Sequence, residues 1–152
     1  MTRSVLSAVA LGFATLGLAA CSEAPEQTEA ADSAPEGISV TNARLMLPAV
    51  AGNPGAVYFD VSNSGTENRV IREVTVAGAG SAEMHTKDMQ LVLQIAVPPG
   101  GETKFAPGEQ HVMAMDLADT VTAGSQAEVT LTFVGGSSIS FPAEVRAAGG
   151  ER

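Results

Sequence analysis

Apolar or β-branched residues alternate with polar ones in several short runs along this chain. Ala56-Val57-Tyr58-Phe59-Asp60-Val61-Ser62 is one, and Arg69-Val70-Ile71-Arg72-Glu73-Val74-Thr75-Val76 is another. Leu91 to Val97 is more uniformly apolar. Ala127-Glu128-Val129-Thr130-Leu131-Thr132-Phe133 alternates cleanly, passes through Gly135-Gly136, and resumes at Ser138-Ile139-Ser140-Phe141. A period of two is the signature of a strand with one buried face, and paired glycines between two such runs suit a tight hairpin turn. Turn-forming clusters recur at Asn53-Pro54-Gly55, Asn63-Ser64-Gly65, Gly78-Ala79-Gly80, Pro98-Pro99-Gly100-Gly101, Pro107-Gly108 and Ala123-Gly124. They leave little room for a long helix. The pattern predicts an all-β domain, a Greek-key β-sandwich or barrel.

The N-terminal part has a different character. Arg3 precedes an apolar run from Val5 to Ala20, with small residues ahead of Cys21. Residues 1–20 read as a secretory signal peptide, too short for a good membrane-spanning helix. Leu18-Ala19-Ala20-Cys21 resembles a bacterial lipobox, which would make Cys21 the acylated first residue of the mature protein. Residues 21–37 then form an acidic linker holding Glu23, Glu26, Glu29, Asp32 and Glu36, with no Lys or Arg. Such a stretch cannot bury a core and is expected to stay extended. The β domain is expected over 38–147, with a frayed tail at 148–152.

Cys21 is the single cysteine. Its acylation would leave the mature domain without a thiol and without a disulfide framework. The net charge of −9 argues against a nucleic-acid partner, which wants a basic face, and against electrostatic docking on anionic lipid. It reads as solubility. There is no cysteine nucleophile in the domain, no hydrolase-type His/carboxylate cluster and no Gly-rich phosphate loop, so the chain does not read as an enzyme.

Candidate chemistry is confined to two windows, Glu83-Met84-His85-Thr86-Lys87-Asp88-Met89 and His111-Val112-Met113-Ala114-Met115. They hold both histidines and four of the six methionines. Imidazole plus thioether without thiolate is a ligand set suited to Cu(I). Zn(II) favours thiolates and carboxylates, and blue-copper sites need a cysteine. In a strand, residues two apart share a face, so His111 and Met113 form the better-specified pair. Met115 lies on that face by parity and is assigned to the core as filler. His85 and Met89 share a face if the strand continues between them, while Met84 faces away. His85, Met89, His111 and Met113 together would give a four-coordinate site for one Cu(I) per chain. A three-coordinate His85–His111–Met113 site is the fallback.

At this point a resemblance becomes specific. Ile38-Ser39-Val40-Thr41-Asn42-Ala43-Arg44, the strand Ala56 to Asn63, and Pro99-Gly100-Gly101 followed by Pro107-Gly108 and His111-Val112-Met113-Ala114-Met115-Asp116-Leu117 resemble the periplasmic copper chaperone family known as PCuAC. The family motif is His, ten residues, Met, twenty-one residues, His-x-Met. Twenty-one residues separate Met89 from His111, as in the family, but only three separate His85 from Met89. In another alignment, Leu93 and Ile95 take the places of the family's methionines. Either way a hairpin beside the site is shortened, and Met89 is its least secure ligand.

The resemblance implies a cupredoxin-like fold and a Cu(I) metallochaperone facing the periplasm. Its implied partners are the CuA-bearing oxidase subunit and Sco-type copper proteins. A lipid anchor is expected in the outer membrane rather than the inner, from Ser22 after the cysteine. The rival reading is an envelope β-sandwich interaction module whose metal site has been degraded by the short hairpin.

Overall fold

The computed structural model describes residues 34–150. The signal segment, Cys21, most of the acidic linker and residues 151–152 lie outside the described residues. Nine strands follow one another: β1 (Ile38–Met46), β2 (Gly55–Asn63), β3 (Arg69–Val76), β4 (Ser81–His85), β5 (Ile95–Val97), β6 (Gly101–Phe105), β7 (His111–Met115), β8 (Gln126–Phe133) and β9 (Ser138–Arg146). The described residues contain no helix. All nine strands belong to one curled sheet, a half-barrel ordered β4-β7-β2-β1-β9-β8-β3-β5, with β6 also paired to β2.

The alternating runs become strands because one parity is apolar. In β2, Gly55, Val57, Phe59, Val61 and Asn63 are buried while the residues between them are partly exposed. Phe59 stands opposite Phe105 in the register. Their rings stack at 4.3 Å, and Phe141 meets Phe59 edge-on at 5.4 Å. Val112, Ala114, Val129, Leu131, Phe133 and Val145 close the same core. Full burial of each Val, Leu or Phe contributes roughly 1.5–3 kcal/mol.

Gly135 and Gly136 both take positive φ, and Phe133 N–H donates to the Ser137 carbonyl, so the glycine pair turns β8 into β9 as expected. Leu91–Val97 behaves otherwise, since only Ile95–Val97 is a strand. Leu91 makes an isolated bridge to His85, and Val92 N–H donates 2.8 Å to the Met84 carbonyl. The segment therefore covers the free edge of β4, where unpaired backbone groups would otherwise be exposed.

Two irregularities shape the outer face near the candidate site. In β1, Thr41 pairs with Asp60 and Arg44 with Tyr58, so two residues of β1 oppose one of β2. This is a bulge, with Asn42 at φ 57 and its amide donating 2.7 Å to Asp60. The extra residue reverses the parity of the strand. Leu45 turns inward to the core, and Arg44 goes outward to lie 5.0 Å from the Tyr58 ring. Further along, β2 pairs with β6 over Phe59–Asn63 and with β7 over Gly55–Val57. The loop between β6 and β7 leaves and rejoins the same edge, and His111 is where it rejoins.

Candidate metal centre

β4 and β7 are antiparallel, with His85 opposite His111, Met84 opposite Val112, Glu83 opposite Met113 and Ser81 opposite Met115. Strand parity then separates two faces. Met84, Val112 and Ala114 belong to the core. His85, Glu83, His111, Met113 and Met115 form the other face. Met115 is thus not core filler: it is partly exposed and follows His111 and Met113 outward. From this strand the core takes Val112 and Ala114, both of them fully buried.

The two imidazoles are neighbours, with ring centroids 6.1 Å apart and planes 24° from parallel. The Tyr58 ring is 6.5 Å from that of His111 on its other side. Arg44, Tyr58, His111 and His85 therefore run in a row across β1, β2, β7 and β4.

Each ring has a defined hydrogen-bonding environment. Nδ1 of His111 is 3.0 Å from the Glu109 carbonyl oxygen. That oxygen can only accept, so Nδ1 is the donor, and in the neutral ring Nε2 is left with its lone pair. Metal-ligating histidines are held in this way. His111 is 9% exposed, well sheltered by the sheet. In His85, Nδ1 lies 3.3 Å from the Met89 carbonyl and Nε2 lies 3.2 Å from Oε2 of Glu83. Both neighbours are acceptors, and a neutral ring can donate to only one of them.

Met89 occupies a tight turn. Met89 N–H donates to the Thr86 carbonyl, and Thr86 Oγ1 accepts from the backbone of Asp88 and Gln90. Its φ is 61°, an uncommon conformation for a non-glycine residue, and it is 56% exposed. The shortened hairpin thus carries Met89 on its tip, with its backbone rather than a strand position tied to His85. Among the described residues no three His, Cys, Asp or Glu donors are already gathered around one point.

Glu83 is neither a sulfur nor an imidazole donor and so falls outside the set expected from the two windows. It is two residues before His85 in an alternating strand, and that spacing alone puts it on the histidine's face. Tyr58 and Arg44 carry no such signal, because the bulge that positions Arg44 is invisible in the pattern.

The fold is that of the cupredoxin-like PCuAC domains. The copper-bound PCuAC domain from PmoF2 is 26% identical, covering 73% of this chain and 93% of that one, with a TM-score of 0.65. The apo PCuAC domain from PmoF1 is also 26% identical, covering 73% and 94%, with a TM-score of 0.66. The solution structure of CuI-DR1885 from Deinococcus radiodurans shares the fold at 20% identity, covering 80% and 86%, with a TM-score of 0.63. The chain itself belongs to the family described as "Putative lipoprotein LpqE-like", which matches residues 38–145. "Putative lipoprotein Lxx21020" of Leifsonia xyli subsp. xyli is 29% identical over 145 residues, 90% of this chain and 86% of that protein.

Proposed function

We propose that this protein is a lipid-anchored Cu(I) metallochaperone of the cell envelope, facing the periplasm. The observation that carries this reading is His85 directly opposite His111 on the outer face of β4 and β7, with Met113 two residues along. The lone pair of His111 Nε2 is freed by the Glu109 carbonyl. Likeness to a copper-bound PCuAC domain supports it. One Cu(I) per chain would be held by His85, His111 and Met113, with the Met89 sulfur at the mouth as fourth donor. Two imidazoles and soft thioethers suit a filled-shell ion with weak geometric demands.

Transfer follows from the placement of the site. His111 sits against the sheet while Met89 is on an exposed turn. An incoming ligand can displace the outer sulfur first and the imidazoles afterwards. Acylation of Cys21 would supply the anchor, in the outer rather than the inner membrane, and the 21–37 linker would give the domain its reach. The recipients suggested by the resemblance are the CuA-bearing oxidase subunit and Sco-type copper proteins.

Titration with Cu(I) against a chromophoric chelator tests the reading. One equivalent should be withdrawn from the chelator by the wild-type domain and none by the His111→Ala/Met113→Ala double variant. Stoichiometric binding that survives both substitutions would remove the site assignment. The rival reading, an interaction module with a lost metal site, rests on the exposed turn position of Met89. It is favoured if the wild type binds no better than a His-free variant.

A further inference from the structure

We infer that Glu83 is a copper ligand in its own right, and that it equips this site to hold Cu(II) as well as Cu(I). The inference rests on the copper-site reading above and deepens it.

The antiparallel register places four side chains at the corners of a rectangle on one face. Glu83 and His85 lie along β4, Met113 and His111 along β7, with Glu83 opposite Met113 and His85 opposite His111. Opposed residues have Cβ atoms about 5 Å apart, and residues two apart along a strand are separated by about 7 Å. Among the described residues these donors are not already gathered around one point; rotation of the side chains from their corners would bring them onto a single ion. Three corners are filled by imidazole, imidazole and thioether. The fourth is Glu83, whereas Met89 lies off the rectangle on a turn.

Contact geometry points the same way. Oε2 of Glu83 is 3.2 Å from Nε2 of His85. When a metal replaces the proton on Nε2 and that proton passes to solvent, the carboxylate oxygen that accepted it is left next to the ion. Two imidazoles and a carboxylate supply the nitrogen and oxygen donors that Cu(II) prefers, with the thioether as a weak further ligand. The soft ion has the sulfurs to turn to, and the harder one has Glu83. The Glu83 side chain is 43% exposed, so it can swing without disturbing the core.

The competing role for Glu83 is to orient His85 by a hydrogen bond, as outer carboxylates commonly do. Glutamine separates the two, because its side-chain oxygen still accepts from Nε2–H but carries no charge and binds copper poorly. Cu(II) and Cu(I) affinities of the full-length protein, Glu83→Gln and Glu83→Ala should be measured by chelator competition, with electron paramagnetic resonance of the Cu(II) forms. Glu83→Gln should lose Cu(II) affinity about as much as Glu83→Ala, by about tenfold or more, with a changed copper hyperfine pattern. Cu(I) affinity should stay within about threefold in both. Glu83→Gln retaining wild-type Cu(II) affinity and spectrum would overturn the inference in favour of orientation. Wild type that binds Cu(I) but not Cu(II) would overturn it and leave the chaperone reading standing. Failure to bind either ion would overturn both.

Discussion

His85 and His111 face each other across β4 and β7 with their ring centres 6.1 Å apart. In the proposed site one ion is shared by both rings, which makes their contributions non-additive. His85→Ala and His111→Ala should each lower Cu(I) affinity by roughly a hundredfold, with the double variant losing much less than the product. A double-variant cycle by chelator competition measures this. Strictly additive losses would mean that the two imidazoles do not meet on one ion.

The two proposed methionine ligands should be unequal. Met113 is fixed by its strand position opposite Glu83, whereas Met89 is on a turn at φ 61. Met113→Ala is expected to cost more Cu(I) affinity than Met89→Ala. Met89→Gly should leave the fold as stable or stabilise it by about 1 kcal/mol, since glycine adopts positive φ without the Cβ penalty. Chemical denaturation of the apo form checks this. Clear destabilisation by Met89→Gly would show that the methionine side chain packs in the fold.

Asn63 is 1% exposed and fully engaged. Its amide donates to the carbonyls of Glu67 at 2.8 Å and Val97 at 3.0 Å, and its Oδ1 accepts from Gly65 N–H. Asn63→Ala strips partners from buried groups and should cost roughly 1–3 kcal/mol. Copper stoichiometry should be unchanged, because the residue is at the opposite end of β2 from the site. The midpoint of urea unfolding reports the loss.

Protons compete with the metal for the imidazole nitrogens. Cu(I) affinity should therefore fall as the solution is acidified. Thioethers do not titrate, so the fall should vanish in a His85→Ala/His111→Ala variant that retains weak sulfur binding. A pH-independent wild-type affinity would exclude imidazole from the site.

Much of this was legible in the residues. The alternation of Ala56–Ser62 and Ala127–Phe133 gave β2 and β8 because one parity had to be buried. The spacing of His111 and Met113 put them on one face for the same reason. The Leu91–Val97 run misled, because hydrophobicity without alternation does not say whether a segment forms a strand or covers an edge. Met115 misled too, since its composition suggested core while its parity placed it with His111. Long-range pairing was not readable at all: nothing local says that His85 will stand opposite His111, or that a bulge at Asn42 will turn Arg44 onto Tyr58.

X-ray absorption at the copper edge of the Cu(I)-loaded protein tests the central claim most directly. The expected first shell contains two imidazole nitrogens and one or two thioether sulfurs, and the His111→Ala/Met113→Ala variant should retain no copper through desalting. A first shell lacking either imidazole or sulfur, or an unchanged spectrum in the variant, would contradict copper binding at this site.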